Sequence, residues 1–343
     1  MVRPRAARAA ALLLAAAAGL SACRHAGLEP PAAAAAAARR SAGPRLPRGP
    51  DPARLGLQQV LPGVWVPAPD APHWGVGGEG LLPPRGAPSG AGVLLRSAHV
   101  HVETDLPARE ALPWLRLAQG FVEDLVSAWG EALDLRLPAA PLVVEVHAGR
   151  AGLEAALARW GAAAGDVHAW YDRGLARVML SAEAPGAGAM PWQADLRHEL
   201  VHAVLDLASP DAPPLAQASR HGWGWLWEGV ALRAEDGVPA AGGPALRLRL
   251  ERARQRARRD GALPLQALVG LPLGAWEGQH YDLCAAWMAS LQADPGWRLG
   301  EAGLLRALLR GDLAGFDAQR AFGRTLDAEQ ARFEAWLAME GAR

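Results

Sequence analysis

The sequence has no lysine, isoleucine or asparagine among its 343 residues, and it contains only two cysteines, Cys23 and Cys284. Two cysteines exclude a disulfide framework and a cysteine-rich zinc cluster. Net charge is also lacking, because 35 arginines balance 35 acidic residues. A chain without an excess of positive charge offers no electrostatic argument for nucleic acid as a partner.

Apolar residues, in contrast, make up 51% of the chain, which is ample for a buried core. Ala, Arg, Gly and Leu dominate the composition, a bias typical of GC-rich coding, so alanine-rich stretches count for little as an indication of helix. At 343 residues the chain is long enough for one large domain or two modest ones.

The first 22 residues have the pattern of a bacterial export signal. Three arginines precede an uncharged run over 9–20, which is too short to span a membrane. The run ends in Leu-Ser-Ala-Cys23, which resembles the lipobox of bacterial lipoproteins, where the cysteine is lipidated and becomes the first mature residue. We therefore expect a signal peptide over 1–22 and a lipid anchor at Cys23. A cleaved secretory signal with an incidental cysteine is the alternative.

Residues 23–52 are rich in Ala, Pro, Arg and Gly and have no apolar periodicity, which predicts a flexible or partly polyproline II tether. Arg24 follows Cys23 at the position where retention at the inner membrane usually requires Asp. The resemblance to lipoproteins thus implies an exported protein, held by its N-terminal lipid at the periplasmic face of the outer membrane.

Hydrophobic periodicity divides the remainder into an irregular segment over 53–92 and a folded domain over 93–343. It predicts extended segments at 60–66 and 92–103, a strand at 141–147 and a β-hairpin from 166–171 and 175–181. It predicts helices at 107–135, 152–160, 192–207, 225–235, 245–259, 280–291, 302–309 and 326–339. Strands that mostly precede helices indicate an α+β domain rather than a doubly wound one.

The sequence His198-Glu199-Leu-Val-His202 lies in the middle of the predicted helix 192–207. Positions i and i+4 share one face of a helix, so the two imidazoles can reach one metal ion from a rigid support. Zinc then needs one more protein ligand and keeps a fourth position for water. Glu199 lies beside that position, where its carboxylate can take a proton from the water as general base.

A second motif follows over 225–231, with the sequence Trp-Leu-Trp-Glu228-Gly-Val-Ala. Together the two motifs resemble those of the gluzincin zinc metallopeptidases, specifically the peptidase MA-like group and more distantly the M1 aminopeptidases. The resemblance covers residues 93–340. It implies a small N-terminal β-sheet with a hairpin, packed on a mainly helical, thermolysin-like domain, and it implies Glu228 as the third ligand of one Zn²⁺ ion.

The resemblance also implies a function, hydrolysis of peptide bonds in a peptide or protein substrate by a metal-activated water. Two other functions stay open. A catalytically silent envelope-assembly or binding lipoprotein would retain the fold and the metal, although the carboxylate of Glu199 between the two histidines favours catalysis. Zinc-dependent hydrolysis of a wall component uses the same zinc and water chemistry, so nothing in the sequence separates it from proteolysis.

Other residues have more than one interpretation. Asp206, Asp211 and His221 are alternatives to Glu228 as the third ligand. Glu235 matches a further acidic position of the aminopeptidase pattern, and it is either a partner of a metal ligand or a solvated carboxylate.

A phenol can donate a hydrogen bond to an oxyanion while carrying no charge, and the chain contains only two, Tyr171 and Tyr281. Tyr281 opens the predicted helix 280–291, whose start resembles the tyrosine-bearing helix of the family. The resemblance implies a catalytic role for Tyr281, with a core position as the alternative and His280 as a substitute donor.

The arginine-rich stretch over 245–259 predicts a solvated helix face. Cys284, among Ala and Leu, predicts a buried small side chain. Four tryptophans near the motifs are candidates for core positions or for a cleft wall: Trp192, Trp223, Trp225 and Trp227.

Overall fold

The computed structural model describes residues 57–61, 64–67, 93–138, 140–159, 168–183, 190–208, 218, 220–238, 242–261, 263–272, 275–312 and 315–340. The expected signal peptide, the expected lipidation site Cys23 and the expected tether lie outside these residues. Within them the chain is a mixed α+β structure, as the sequence predicts. None of the helices in this part combines the length and the apolar character that a bilayer crossing requires.

Seven strands form one sheet in the described part of the chain, in the order β1-β2-β3-β4-β5-β7-β6. The strands are β1 (Leu57–Leu61), β2 (Val64–Pro67), β3 (Val93–Arg96), β4 (Val100–Thr104), β5 (Leu142–His147), β6 (Ala169–Asp172) and β7 (Arg177–Ser181). β4 with β5 and β5 with β7 are parallel pairs, and the other neighbours are antiparallel. Parallel pairs need crossover connections, which helices provide here.

The helices are α1 (Ala108–Leu133), α2 (Arg150–Arg159), α3 (Trp192–Ala208), α4 (Gly224–Ala234), α5 (Pro244–Asp260), α6 (Leu265–Gly270), α7 (Gly278–Gln292), α8 (Pro295–Leu309), α9 (Ala318–Phe322) and α10 (Leu326–Glu340). α1 connects β4 to β5, and α2 follows β5. From α3 onward the described chain is helical, which agrees with the predicted order of strands before helices.

The strand prediction is wrong in two places. The segment predicted to be continuous over 92–103 is a hairpin of β3 and β4. Ser97 closes its turn, because both its backbone N–H and its hydroxyl donate to the carbonyl of Val100 at 2.9 Å. The single extended segment predicted at 60–66 is divided between β1 and β2, which pair with each other, and β2 joins them to β3 in the same sheet.

One face of the sheet is covered by α1 and α3. Val102, Val144 and Val178 lie side by side on β4, β5 and β7, and all three are buried. They belong to the main core, which includes Leu115 and Val122 of α1. Successive side chains of a strand point to opposite faces, and α2 packs on the other face in a smaller cluster.

Helix α4 packs against both α3 and α7. The contact between α4 and α7 is close at Gly229, where an added Cβ would lie 2.5 Å from Cγ of Met288. A side chain at this position would require either Met288 or the helices to shift. This contact fixes the part of α4 that carries Glu228 relative to α7.

Candidate metal centre

Helix α3 carries the first motif of the sequence in its middle, as predicted. Leu200, Val201 and Val204 are fully buried and hold the helix against the core. His198 and His202 are one turn apart and are also buried. Packing therefore fixes the backbone that supports both imidazoles.

The structure brings Glu228 of α4 to the two histidines. Its Oε2 atom lies 3.2 Å from Nε2 of His198 and 3.6 Å from Nε2 of His202. The two Nε2 atoms are 3.2 Å apart. Three potential ligand atoms thus form a nearly equilateral triangle, and these three residues are the one group of this kind in the described part of the chain.

The triangle fits a small divalent cation. Tetrahedral zinc with ligands at about 2.0–2.2 Å requires its ligand atoms to be about 3.3–3.6 Å apart, which matches the observed distances. Two imidazoles and one carboxylate are also a ligand set of catalytic zinc sites. Glu199 and Glu228 are 0% exposed, and a divalent cation would neutralise the formal charge that the two carboxylates bring into a region shielded from water.

The electrostatics favour an ionised Glu228. Burial disfavours its charged form, but the imidazoles of His202 and His198 outweigh that effect and hold the pKa of the carboxyl well below its usual range. A carboxylate that stays ionised offers its lone pairs to a cation at any physiological pH.

A second carboxylate contacts the other side of His198. Oε1 of Glu235, at the C-terminal end of α4, lies 3.2 Å from Nδ1 of His198. Arg249 of α5 binds both oxygens of Glu235, with Nε to Oε2 at 2.8 Å and Nη2 to Oε1 at 2.6 Å. Of the two interpretations of Glu235, the structure supports a partner of His198, because the carboxylate is buried.

Glu199 and Tyr281 occupy the surroundings of the triangle. Glu199 is fully buried on α3, next to His198 in the chain. The ring of Tyr281, on α7, meets the ring of His198 edge-on, with centroids 6.5 Å apart. The ring of Trp227 stacks on that of His202, with centroids 5.9 Å apart and an interplanar angle of 2°.

The alternative ligands are placed differently. Asp206 accepts a hydrogen bond from the hydroxyl of Tyr171 at 2.8 Å and forms an ion pair with Nε of Arg173 at 3.0 Å. His221 is exposed on the loop before α4. Asp211 lies outside the described residues. Glu228 is therefore the candidate that the described geometry joins to the two histidines.

His280, the substitute donor, has a structural role. Its Nδ1 atom accepts a hydrogen bond from the backbone N–H of Glu277 at 2.9 Å, as part of a capping box at the start of α7. Tyr281 follows it inside the helix and is buried.

The remaining expectations concern packing. Cys284 is buried and its thiol donates to the carbonyl of Trp225 at 3.2 Å, and burial raises its pKa well above the usual value. Trp223 and Trp225 are core residues. Trp192 stacks on Trp114 with ring centroids 3.8 Å apart.

The prediction of a solvated helix face over 245–259 is wrong for one residue. Arg249 is only 3% exposed, and its buried partners are Glu235 and Asp282. A signal was present in the sequence, because Ala245 and Ala253 lie four residues on either side of Arg249 and form the buried stripe of α5 with it. Small residues at that spacing mark the side of α5 that packs closely.

Comparison with known proteins adds no assignment to this geometry. The sequence matches no protein-family model, and no curated protein matches it.

Proposed function

We propose that this chain is a zinc-dependent hydrolase of peptide bonds with a gluzincin-type, thermolysin-like metallopeptidase domain. The observation that carries the proposal is the convergence of His198 Nε2, His202 Nε2 and Glu228 Oε2 within 3.2–3.6 Å of one another. In this proposal the three atoms hold one zinc ion. When bound, the ion would supply a Lewis acid that makes water acidic and polarises a carbonyl.

The residues of the chain would divide the remaining work. Glu199 accepts a proton on its carboxylate when water attacks the carbonyl carbon, and it passes the proton to the leaving amine. Tyr281 donates a hydrogen bond from its phenol to the oxygen that becomes negative in that step. Glu235 accepts from Nδ1 of His198, which leaves the lone pair of Nε2 for the metal.

Burial of the site favours a second candidate, a catalytically silent binding or envelope-assembly lipoprotein that retains the metal. None of the residues His198, Glu199, His202 and Glu228 is more than 3% exposed, whereas a catalytic site must admit substrate. A fully buried Glu199 is costly to keep in a purely structural site, and for this reason we prefer the hydrolase.

The proposal includes location and partner. Export and lipid anchoring through Cys23 rest on the sequence alone, and so does the periplasmic face of the outer membrane as the address. The substrate is a peptide or protein, and no charge excess supports nucleic acid.

Metal analysis and a peptide-library digest test the proposal together. We expect one zinc per full-length chain, loss of the metal in His198→Ala and His202→Ala, and cleavage that a chelator abolishes. Glu199→Gln should keep the metal and lose at least 10²-fold in turnover, because the ligand set is intact and the base is gone.

The variants separate the candidates. A wild-type chain that binds zinc and cleaves nothing in the library supports the silent protein. Zinc content that is unchanged in both histidine variants would exclude the site, and full activity in Glu199→Gln would exclude its role as base.

A further inference from the structure

Behind the candidate zinc site, a chain of buried charges runs away from His198. It starts at Nδ1 of His198, passes to Oε1 of Glu235 at 3.2 Å, and continues to Nη2 of Arg249 at 2.6 Å. Nη1 of Arg249 reaches Oδ1 of Asp282 on α7 at 3.5 Å. Arg256 adds a contact to the other oxygen of Asp282 at 3.8 Å.

The guanidinium of Arg249 is charged in this position. Burial disfavours the charge, but the carboxylates of Glu235 and Asp282 outweigh that effect and raise the pKa of Arg249. Nε and Nη2 of Arg249 bind the two oxygens of Glu235 at 2.8 and 2.6 Å, which is the two-pronged geometry of a guanidinium on a carboxylate. An ion pair in the interior is sustained only by such geometry and by hydrogen bonds to the remaining atoms.

That geometry has a consequence for His198. An ionised carboxylate only accepts hydrogen bonds, so the nitrogen of His198 that faces Glu235 must carry the ring proton. Nε2, which lies 3.2 Å from Glu228 and from His202, then has its lone pair free for a cation. Glu235 can accept from Nδ1 of His198 only if the plane of its carboxylate is fixed, because its Oε1 atom accepts from Arg249 and from His198 at the same time.

Arginine suits the position better than any other cation. Its planar fork binds both oxygens of a carboxylate, whereas the ammonium of lysine is a point charge that leaves the carboxylate free to rotate. Of the arginines on α5, only Arg249 lies on the buried stripe. The others lie on more exposed parts of α5, and Arg258 is an exposed example.

We propose that Arg249 is a positioning residue of the metal centre, whose two-pronged contact orients Glu235 so that His198 presents Nε2 to the ion. The inference rests on the proposed zinc site and goes beyond it, since it assigns a role to a residue on a third helix that touches no ligand directly. Through Asp282 the same guanidinium also ties α4 to the helix that bears Tyr281.

The test is zinc affinity in Arg249→Lys, which keeps the charge and most of the volume. Competition against a chromophoric chelator, on the full-length protein in detergent, should give a dissociation constant about 10–100-fold higher than that of the wild type. The absorption spectrum of the cobalt-substituted protein should also change, because it reports the geometry of the ligands. Arg258→Lys, on the same helix, should change neither.

A double variant, Arg249→Lys with Glu235→Gln, distinguishes an action of Arg249 through Glu235 from a general disturbance of the structure. Because Arg249 acts through Glu235, Arg249→Lys should cause no further loss of zinc affinity when it is added to Glu235→Gln. If Arg249→Lys does not fold, as judged by thermal melting, Glu235→Gln alone decides, since unchanged zinc affinity in that variant overturns the inference.

The outcomes distinguish the inference from the function on which it rests. A wild-type chain that binds no zinc overturns both. Zinc binding by the wild type with an equal dissociation constant and an equal cobalt spectrum in Arg249→Lys overturns the inference alone. Losses that add up in the double variant also overturn it, because Arg249 would then act by a route other than Glu235.

Discussion

The proposed role of Tyr281 as a donor to the oxyanion depends on where its side chain lies relative to His198. Its ring lies edge-on to that of His198 at an angle of 69°, and the side chain is 1% exposed. A hydrogen-bond donor to a developing oxyanion is worth about 10²–10³ in turnover where one has been removed. We expect Tyr281→Phe to lower kcat by an order of magnitude or more, with zinc content and thermal melting near those of the wild type.

The other phenol of the chain provides the matched control. Tyr171 donates its hydroxyl to Asp206 at 2.8 Å and serves the packing of β6 on α3. Tyr171→Phe should therefore leave kcat close to the wild-type value. Full activity in Tyr281→Phe would leave Tyr281 a core role and the oxyanion to other donors.

At the scale of residues, the sequence predicted the contacts that helix geometry alone determines. Two histidines four residues apart on a helix must share a face, so the pairing of His198 with His202 could be read from the spacing alone. The approach of Glu228 followed only from resemblance to a family. The burial of Arg249 had a signal in Ala245 and Ala253, but its partnership with Glu235 could not be predicted, because only the fold brings α5 to the end of α4.

At the scale of elements, Gly229 determines how closely α4 and α7 pack. A Cβ there would lie 2.5 Å from Cγ and 2.8 Å from Sδ of Met288, which is itself fully buried. Overpacking of this kind costs about 1–3 kcal/mol, which outweighs the roughly 1 kcal/mol by which alanine is the better helix former. We expect Gly229→Ala to lower the free energy of unfolding and, by moving the adjacent Glu228, to weaken zinc binding.

A second helical glycine gives the opposite expectation. Gly120 lies within α1, where an added Cβ meets nothing within 4 Å. Gly120→Ala should raise the free energy of unfolding by about 0.5–1 kcal/mol and leave zinc binding unchanged. Urea unfolding of both variants checks the signs, and stabilisation by both would show that Met288 yields without cost.

The start of α8 differs from the one that the hydrophobic periodicity predicts. α8 begins at Pro295, seven residues before the predicted start, and Asp294 caps it by accepting from the backbone of Gly296 at 2.9 Å. Asp followed by Pro is a helix start signal, so this boundary was predictable. The turn between β3 and β4 was not, because Ser97 makes it without the glycine or proline that usually marks a turn.

At the scale of the molecule, the sheet includes two N-terminal strands, β1 and β2, where the periodicity of the sequence indicates one extended segment at 60–66. β2 joins β3 through the pairing of Trp65 with Arg96. Which strands pair depends on packing across the whole sheet, so a short extended segment by itself gives little indication of its partner strand. The α+β class was predictable because it depends only on the order of strands and helices.

The attachment of the whole molecule to a membrane depends, in our proposal, on one residue that lies outside the described part. Lipidation of Cys23 would supply acyl chains, and each buried methylene contributes about 0.8 kcal/mol, so that more than one chain gives stable anchoring. Cys23→Ser removes the acceptor thiol and should release the protein from washed membranes of a Gram-negative host into the soluble fraction. Cys284→Ala removes the chain's other thiol, which is buried against Trp225, and should leave the protein in the membrane fraction. Persistence of Cys23→Ser in washed membranes would contradict the lipid anchor.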